Sequence, residues 1–183
     1  MQCRTERDWE RWLDDNHAVS PGVWLKFAKR AAPVPTVTHA QALEVAICFG
    51  WIDGQLRALD ELHYLQRFTP RGPRSKWSQI NREKAERLAA AGRMREAGHA
   101  EVAAAQADGR WDAAYEPASR ATVPDDLQRA LEAEPAAKQF FETLTGARRY
   151  AFLYRLHNVT TPQARERRIR RYIDLLREGR TLN

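Results

Sequence analysis

The sequence predicts an α+β fold: a small antiparallel sheet of about three strands packed with helices, followed by an all-helical C-terminal region. Three observations carry this prediction. Two runs of alternating character, Trp51–Leu59 and Leu62–Pro70, flank Asp60-Glu61, the pattern of two antiparallel strands joined by a short turn. A third alternating run, Val23–Lys29, follows the turn signal Ser20-Pro21-Gly22. The last third of the chain carries only helical periodicity.

Taken in order, Trp9, Trp12 and Leu13 lie at helical spacing within residues 8–16 and predict a short amphipathic helix with its tryptophans in a core. In the first strand Val23, Leu25 and Phe27 share one face, and Trp24, Lys26 and Ala28 the other. A proline-containing loop, residues 31–37, leads to Thr38-His39-Ala40-Gln41, which matches a capping box. The helix it opens runs to about Phe49, with Gly50 as its stop. In the next strand, alternation places Ile52, Leu56 and Ala58 on a core face and Trp51, Asp53, Gln55 and Arg57 on the other. Pro70, Pro73 and Gly72 break regular structure before a helix capped by Ser75 or Ser78, which lasts to about Ala91. An Ala-rich helix spans Glu96–Asp108. Trp111 and Tyr115, four residues apart, are expected to pack back onto the body. Pro124 and Pro135 suit first helical turns, and a final helix opens at Thr161-Pro162 with the apolar stripe Ile169, Tyr172 (or Ile173) and Leu176. The expected division is an α+β domain over 1–116 and a helical region over 117–183, packed as one unit.

Composition narrows the function classes. The chain has 183 residues, 43% of them hydrophobic, enough for a real core. Thirty Lys+Arg against 24 Asp+Glu give +6, a balance that permits an anionic partner without demanding one. Nucleic acid is therefore not the favoured ligand. Arg165, Arg167, Arg168, Arg170 and Arg171 surround the last apolar stripe, as a solvated face or as a contact to an anionic partner or to the acidic 125–134 segment. The two cysteines, Cys3 and Cys48, form no metal-ligand spacing, so no metal is expected, and usage this sparse fits the cytoplasm. The N-terminus has no apolar export signal, and no run approaches the roughly 18 apolar residues that a membrane helix needs. No P-loop, GxGxxG, GxSxG or HExxH is present, so no cofactor is expected.

Chemistry-bearing groups concentrate between Phe49 and Asn81. Asp53, beside Trp51, is the candidate general acid or base, since partial desolvation raises a carboxyl pKa toward useful values. Arg67, with Arg71 and Arg74, is placed to hold a carboxylate, enolate or phosphate. Tyr64, Ser78 and Asn81 supply orienting hydrogen bonds, Gln55 extends the floor, and Trp24, Trp51 and Trp77 supply walls. The set Asp53, Arg67 and Tyr64 suits dehydration, isomerisation or cyclisation of a small molecule without a cofactor. Two structural alternatives stand beside this reading: Asp53 forms an internal ion pair, and Trp51 and Trp77 belong to the core. A further alternative is a non-catalytic binding or stress-protection module that uses its arginine surface for an anionic or protein partner. Exposed sheet edges would also suit a homodimer.

Several stretches carry a family resemblance. CFGWIDGQ (48–55), QRFTPR (66–71), SKWSQIN (75–81), GRM (92–94) and the VPDDL opening (123–127) together resemble the YdeI/OmpD-associated, or bacteriocin-protection, family over nearly the whole chain. The stretch from His157 to Arg165 departs from the family pattern. The resemblance implies the α+β architecture with a helical C-terminal region. It implies a protective association more than a defined reaction.

Overall fold

A computed structural model describes residues 1–182. Their elements are α1 (Glu6–Asn16), β1 (Val23–Ala28), α2 (His39–Cys48), β2 (Trp51–Ala58), β3 (His63–Pro70), α3 (Gln79–Ala90), α4 (Glu96–Ala107), α5 (Asp125–Glu132), α6 (Pro135–Thr143), α7 (Gly146–His157) and α8 (Pro162–Arg177). The chain divides into two compact units, Met1–Ala114 and the residues from Tyr115 on. Each has its own apolar core.

In the first unit the three strands form one antiparallel sheet in the order β1-β3-β2. The predicted alternation fails halfway along β2. Asp53 pairs with Phe68 and Leu56 with Gln66, so Gly54 and Gln55 together face Arg67 alone. This two-against-one count is a β-bulge, and one extra residue turns every later side chain to the opposite face. Trp51, Asp53, Leu56 and Ala58 therefore lie on the face of Phe27, Tyr64 and Phe68, whereas Arg57 joins Trp24 and Arg67. The expectation that Ile52, Leu56 and Ala58 form a core face is corrected by the same bulge. Leu56 is 64% exposed, near the hairpin end, and Ile52 is only half-buried.

Helices α1 and α2 cover the inner face. Trp9 is fully buried, stacks on Trp12 at 5.3 Å, meets Phe68 at 5.4 Å, and donates its indole N–H to the Ala42 carbonyl. Both helices open with complete capping boxes, Thr5/Asp8 and Thr38/Gln41. Gly50 takes φ +72° and turns α2 directly into β2. A Cβ at Gly98 would stand 2.3 Å from the Cys48 carbonyl oxygen, so only glycine lets α4 pass this close to the end of α2.

The second unit packs α5 to α8 around Leu127, Leu131, Phe141, Phe152, Leu156, Tyr172 and Leu176. The final stripe lies as its spacing predicts: Ile169, Tyr172 and Leu176 are buried. Arg165 leaves the solvated arginine face and clamps Asp126 with two guanidinium nitrogens, while its Nη1 donates to the Leu156 carbonyl at 3.1 Å. Trp111 and Tyr115 part company. Trp111 meets Trp77 at 4.9 Å in the first unit, and Tyr115 meets Tyr154 at 4.9 Å in the second. No helix among the described residues is long and apolar enough to cross a membrane.

Candidate functional site

The structure divides the predicted site into three parts. The first is the outer sheet face. Here Trp24 and Arg67 are cross-strand partners, and the bulge delivers Arg57 beside them. The Arg57 guanidinium lies 4.4 Å from the centre of the Trp24 ring and that of Arg67 5.9 Å. A guanidinium resting on an indole keeps its N–H donors free at the edge of the stack. Lys26 belongs to the same face, opposite Leu65. The one strand carboxylate, Asp53, is on the other face. The bulge thus separates charge: cations outside, carboxylate inside.

The second part lies under α2. Asp53 Oδ2 stands 3.0 Å from Nε2 of His39, the first residue of α2, and both side chains are about a third exposed (26% and 38%). The His39 ring packs edge-on to Phe27 at 6.0 Å and near Phe68 at 6.4 Å. Tyr64 stacks on Phe27 at 5.3 Å, and partial burial pushes its hydroxyl pKa up. The expected set Asp53, Arg67 and Tyr64 is therefore not assembled: Asp53 and Tyr64 share the inner face, and Arg67 points to the outer one. His39 went unnoticed in the sequence because its place in a capping box gave it a sufficient local reason. Its spacing to Asp53 depends on where α2 crosses the sheet.

The third part is the loop after β3, where side chains serve structure. Arg71 is only 5% exposed, lies 3.6 Å over the Trp77 ring, and donates Nη1 to the Lys76 carbonyl. Trp77 is 2% exposed and Trp51 is 1% exposed, so neither is a pocket wall. Trp51 instead sits edge-on to Trp12 at 5.8 Å and donates its indole N–H to the His17 carbonyl. Ser78 caps α3 by accepting from the Asn81 amide at 3.1 Å, and Ser75 accepts from the Gly72 amide. Arg74 and Gln55 are exposed, Gln55 in the bulge opposite Arg67. Among the described residues, no group of three or more His, Cys, Asp or Glu is arranged to hold a metal ion.

With this geometry in view, comparison with known families adds a frame. A family described as a domain of unknown function (DUF8412) matches residues 1–101 of the 183. The chain belongs to the DUF8412 family. The matched stretch holds the whole sheet of the first unit and so both the outer cationic face and the His39–Asp53 pair. A second family model, described as bacteriocin-protection, YdeI or OmpD-associated, matches residues 120–179. This match agrees with the resemblance drawn from sequence and falls in the C-terminal unit. The motifs of that resemblance between Cys48 and Met94 lie in the DUF8412 stretch, and VPDDL (123–127) lies in the YdeI/OmpD-associated one. Neither a curated protein nor a solved structure was found to match the chain.

Proposed function

We propose that this DUF8412 member is a binding protein that takes a phosphorylated small ligand on the outer face of its sheet. The observation that carries the reading is the Arg57–Trp24–Arg67 stack. Two guanidiniums held by one indole have already lost much of the side-chain freedom that binding would otherwise cost. Neither forms an ion pair among the described residues, so their donors are available to an oxyanion. Lys26 adds a third cation, and Trp24 gives a ring-bearing ligand a surface to rest on. In this reading Arg67 and Trp24 keep ligand-binding roles, while Arg71, Trp51 and Trp77 do not. The protein's protective role, if it shares the one in the name of its C-terminal family, then works by binding and not by turnover. Two buried free thiols, Cys3 and Cys48, support a reducing, cytoplasmic setting.

The test uses inorganic pyrophosphate as probe, read by calorimetric titration of the full chain. Binding is expected in wild type, about tenfold weaker in Arg57→Gln or Arg67→Gln and unchanged in Arg74→Gln. Equal affinity in all four proteins overturns the reading. A single-stranded oligonucleotide that binds far more tightly, with steep loss in salt, replaces the small ligand by nucleic acid.

The His39–Asp53 pair favours a second reading, a cofactor-free acid–base enzyme of dehydration, isomerisation or cyclisation type. A carboxylate that fixes one ring nitrogen sets the tautomer and leaves the other for proton transfer. A screen of small organic acids for turnover that is lost in His39→Gln tests it. If Asp53→Asn lowers stability and nothing else, the pair is structural.

A further inference from the structure

A cavity of about 250 Å³ opens in the C-terminal unit, between α5, α6 and the start of α7. Its apolar lining comes from Val123, Leu131 and Phe141, the last two almost fully buried. Its polar lining includes Lys138 and Arg149 as cations and Glu142 as the one carboxylate. Helical spacing puts Lys138 and Glu142 one turn apart on α6, yet they form no ion pair. Arg149 is held by the ring of Phe141, 5.3 Å from its centre, and pairs with no carboxylate among the described residues. A hydrophobic floor with two unneutralised cations beside it and a net charge of +1 is complementary to one kind of small molecule. Such a ligand carries an apolar body and a single negative head.

We propose that the cavity between α5, α6 and α7 is a binding site for a small amphipathic carboxylate. The body lies on Leu131, Phe141 and Val123, and the carboxylate accepts from Lys138 and Arg149. The volume falls below the roughly 300 Å³ at which drug-sized pockets begin, so the ligand is compact. Glu142 at the same lining disfavours dianions, which separates this site from the outer sheet face with its three cations. The proposal is independent of the function assigned to that face.

The experiment titrates the full chain with octanoate and, separately, with 1-octanol, a neutral molecule of equal chain length. Octanoate is expected to bind at least tenfold more tightly. In Lys138→Met/Arg149→Met, where aliphatic bulk stays and charge goes, that preference is expected to vanish. A second readout needs no variant: amide chemical-shift changes on adding octanoate to wild type should cluster at residues 123–149. Equal binding of the two molecules overturns the proposal. So does a double variant that keeps the preference, a shift map centred elsewhere, or no octanoate binding at millimolar concentration.

Discussion

The side-chain amide of Gln66 donates to the carbonyl of Gly54 across 2.7 Å. Gln66 is 4% exposed, a rare polar group in the sheet's core face, and the carbonyl it satisfies belongs to the bulge. An irregular ladder leaves backbone groups without strand partners, and here the buried Gln66 amide, which must itself find an acceptor, takes the Gly54 carbonyl. Gln66 is thus the pin of the device that carries Arg57 to the outer face. Gln66→Leu is expected to destabilise the protein by about 0.5–1.5 kcal/mol, the net worth of one hydrogen bond, because Gly54 is exposed and its carbonyl can turn to water. It should also weaken pyrophosphate binding, because Arg57 loses its fixed place. Urea unfolding beside the titration checks both. Loss of stability with full affinity would show that the bulge holds without its pin.

Gly98 stands in the first turns of α4, where alanine would ordinarily gain about 1 kcal/mol of helix propensity. Here the added Cβ would meet the Cys48 carbonyl oxygen at 2.3 Å, its carbon at 2.8 Å and the Met94 methyl at 2.8 Å. Only the methyl can move cheaply. The Cys48 carbonyl also accepts from the Arg95 amide at 3.0 Å, which the displacement would strain. Gly98→Ala is therefore expected to cost a net 1 kcal/mol or more, since overpacking costs about 1–3 kcal/mol. A raised thermal midpoint would contradict the packing described.

The Asp126–Arg165 pair predicts a pH dependence of defined sign. The guanidinium of Arg165 and the Leu127 amide hold the Asp126 carboxyl below its ordinary value of 3.8. A folded-state pKa lower than the unfolded one stabilises above the unfolded value and is lost as pH falls through the folded one. Asp126→Asn should accordingly lower stability near neutrality, by about 1 kcal/mol for so partly exposed a pair. The gap from wild type should close as the pH drops below 3.8. A constant gap across the acid range would mean that the substitution acts by packing.

Two separate cores predict that the two units fold alone. Residues 1–114 and 115–183, expressed apart, should each unfold cooperatively. Circular dichroism of the shorter piece is the sharper check, since a core of four short helices has the smaller reserve. A shorter piece that is helical but melts without a transition would show that it depends on the longer one.

Much of the fold was legible because its signals are local. Both helix caps, Thr38 and Ser78, the stop at Gly50 and the last apolar stripe follow from a few neighbouring residues. The site was less legible because its geometry is not local. Alternation reads Asp53, Gln55 and Arg57 as one face, and nothing in the tripeptide Asp53-Gly54-Gln55 but the glycine hints at an extra residue. The fate of Arg71 was equally hidden. An arginine in a loop between two prolines reads as a cation for a ligand, and only the buried Trp77 six residues on makes it a core residue. Trp51 misled for the opposite reason. Polar neighbours suggested a pocket, whereas two tryptophans of α1 enclose it.

The bulge also sets a parity rule for the length of the hairpin. Adding or removing one residue between Asp53 and Leu56 would exchange the two faces for all that follows in β2, sending Arg57 inward and Leu56 outward. A change of two residues there would keep the faces and only slide the pairing. At the turn, residues 59–62, length is less constrained, since both strands already have their faces assigned before the chain reaches it. Relatives that keep the outer cations should therefore vary in length at the tip and hold an unbroken count between the aspartate and the arginine.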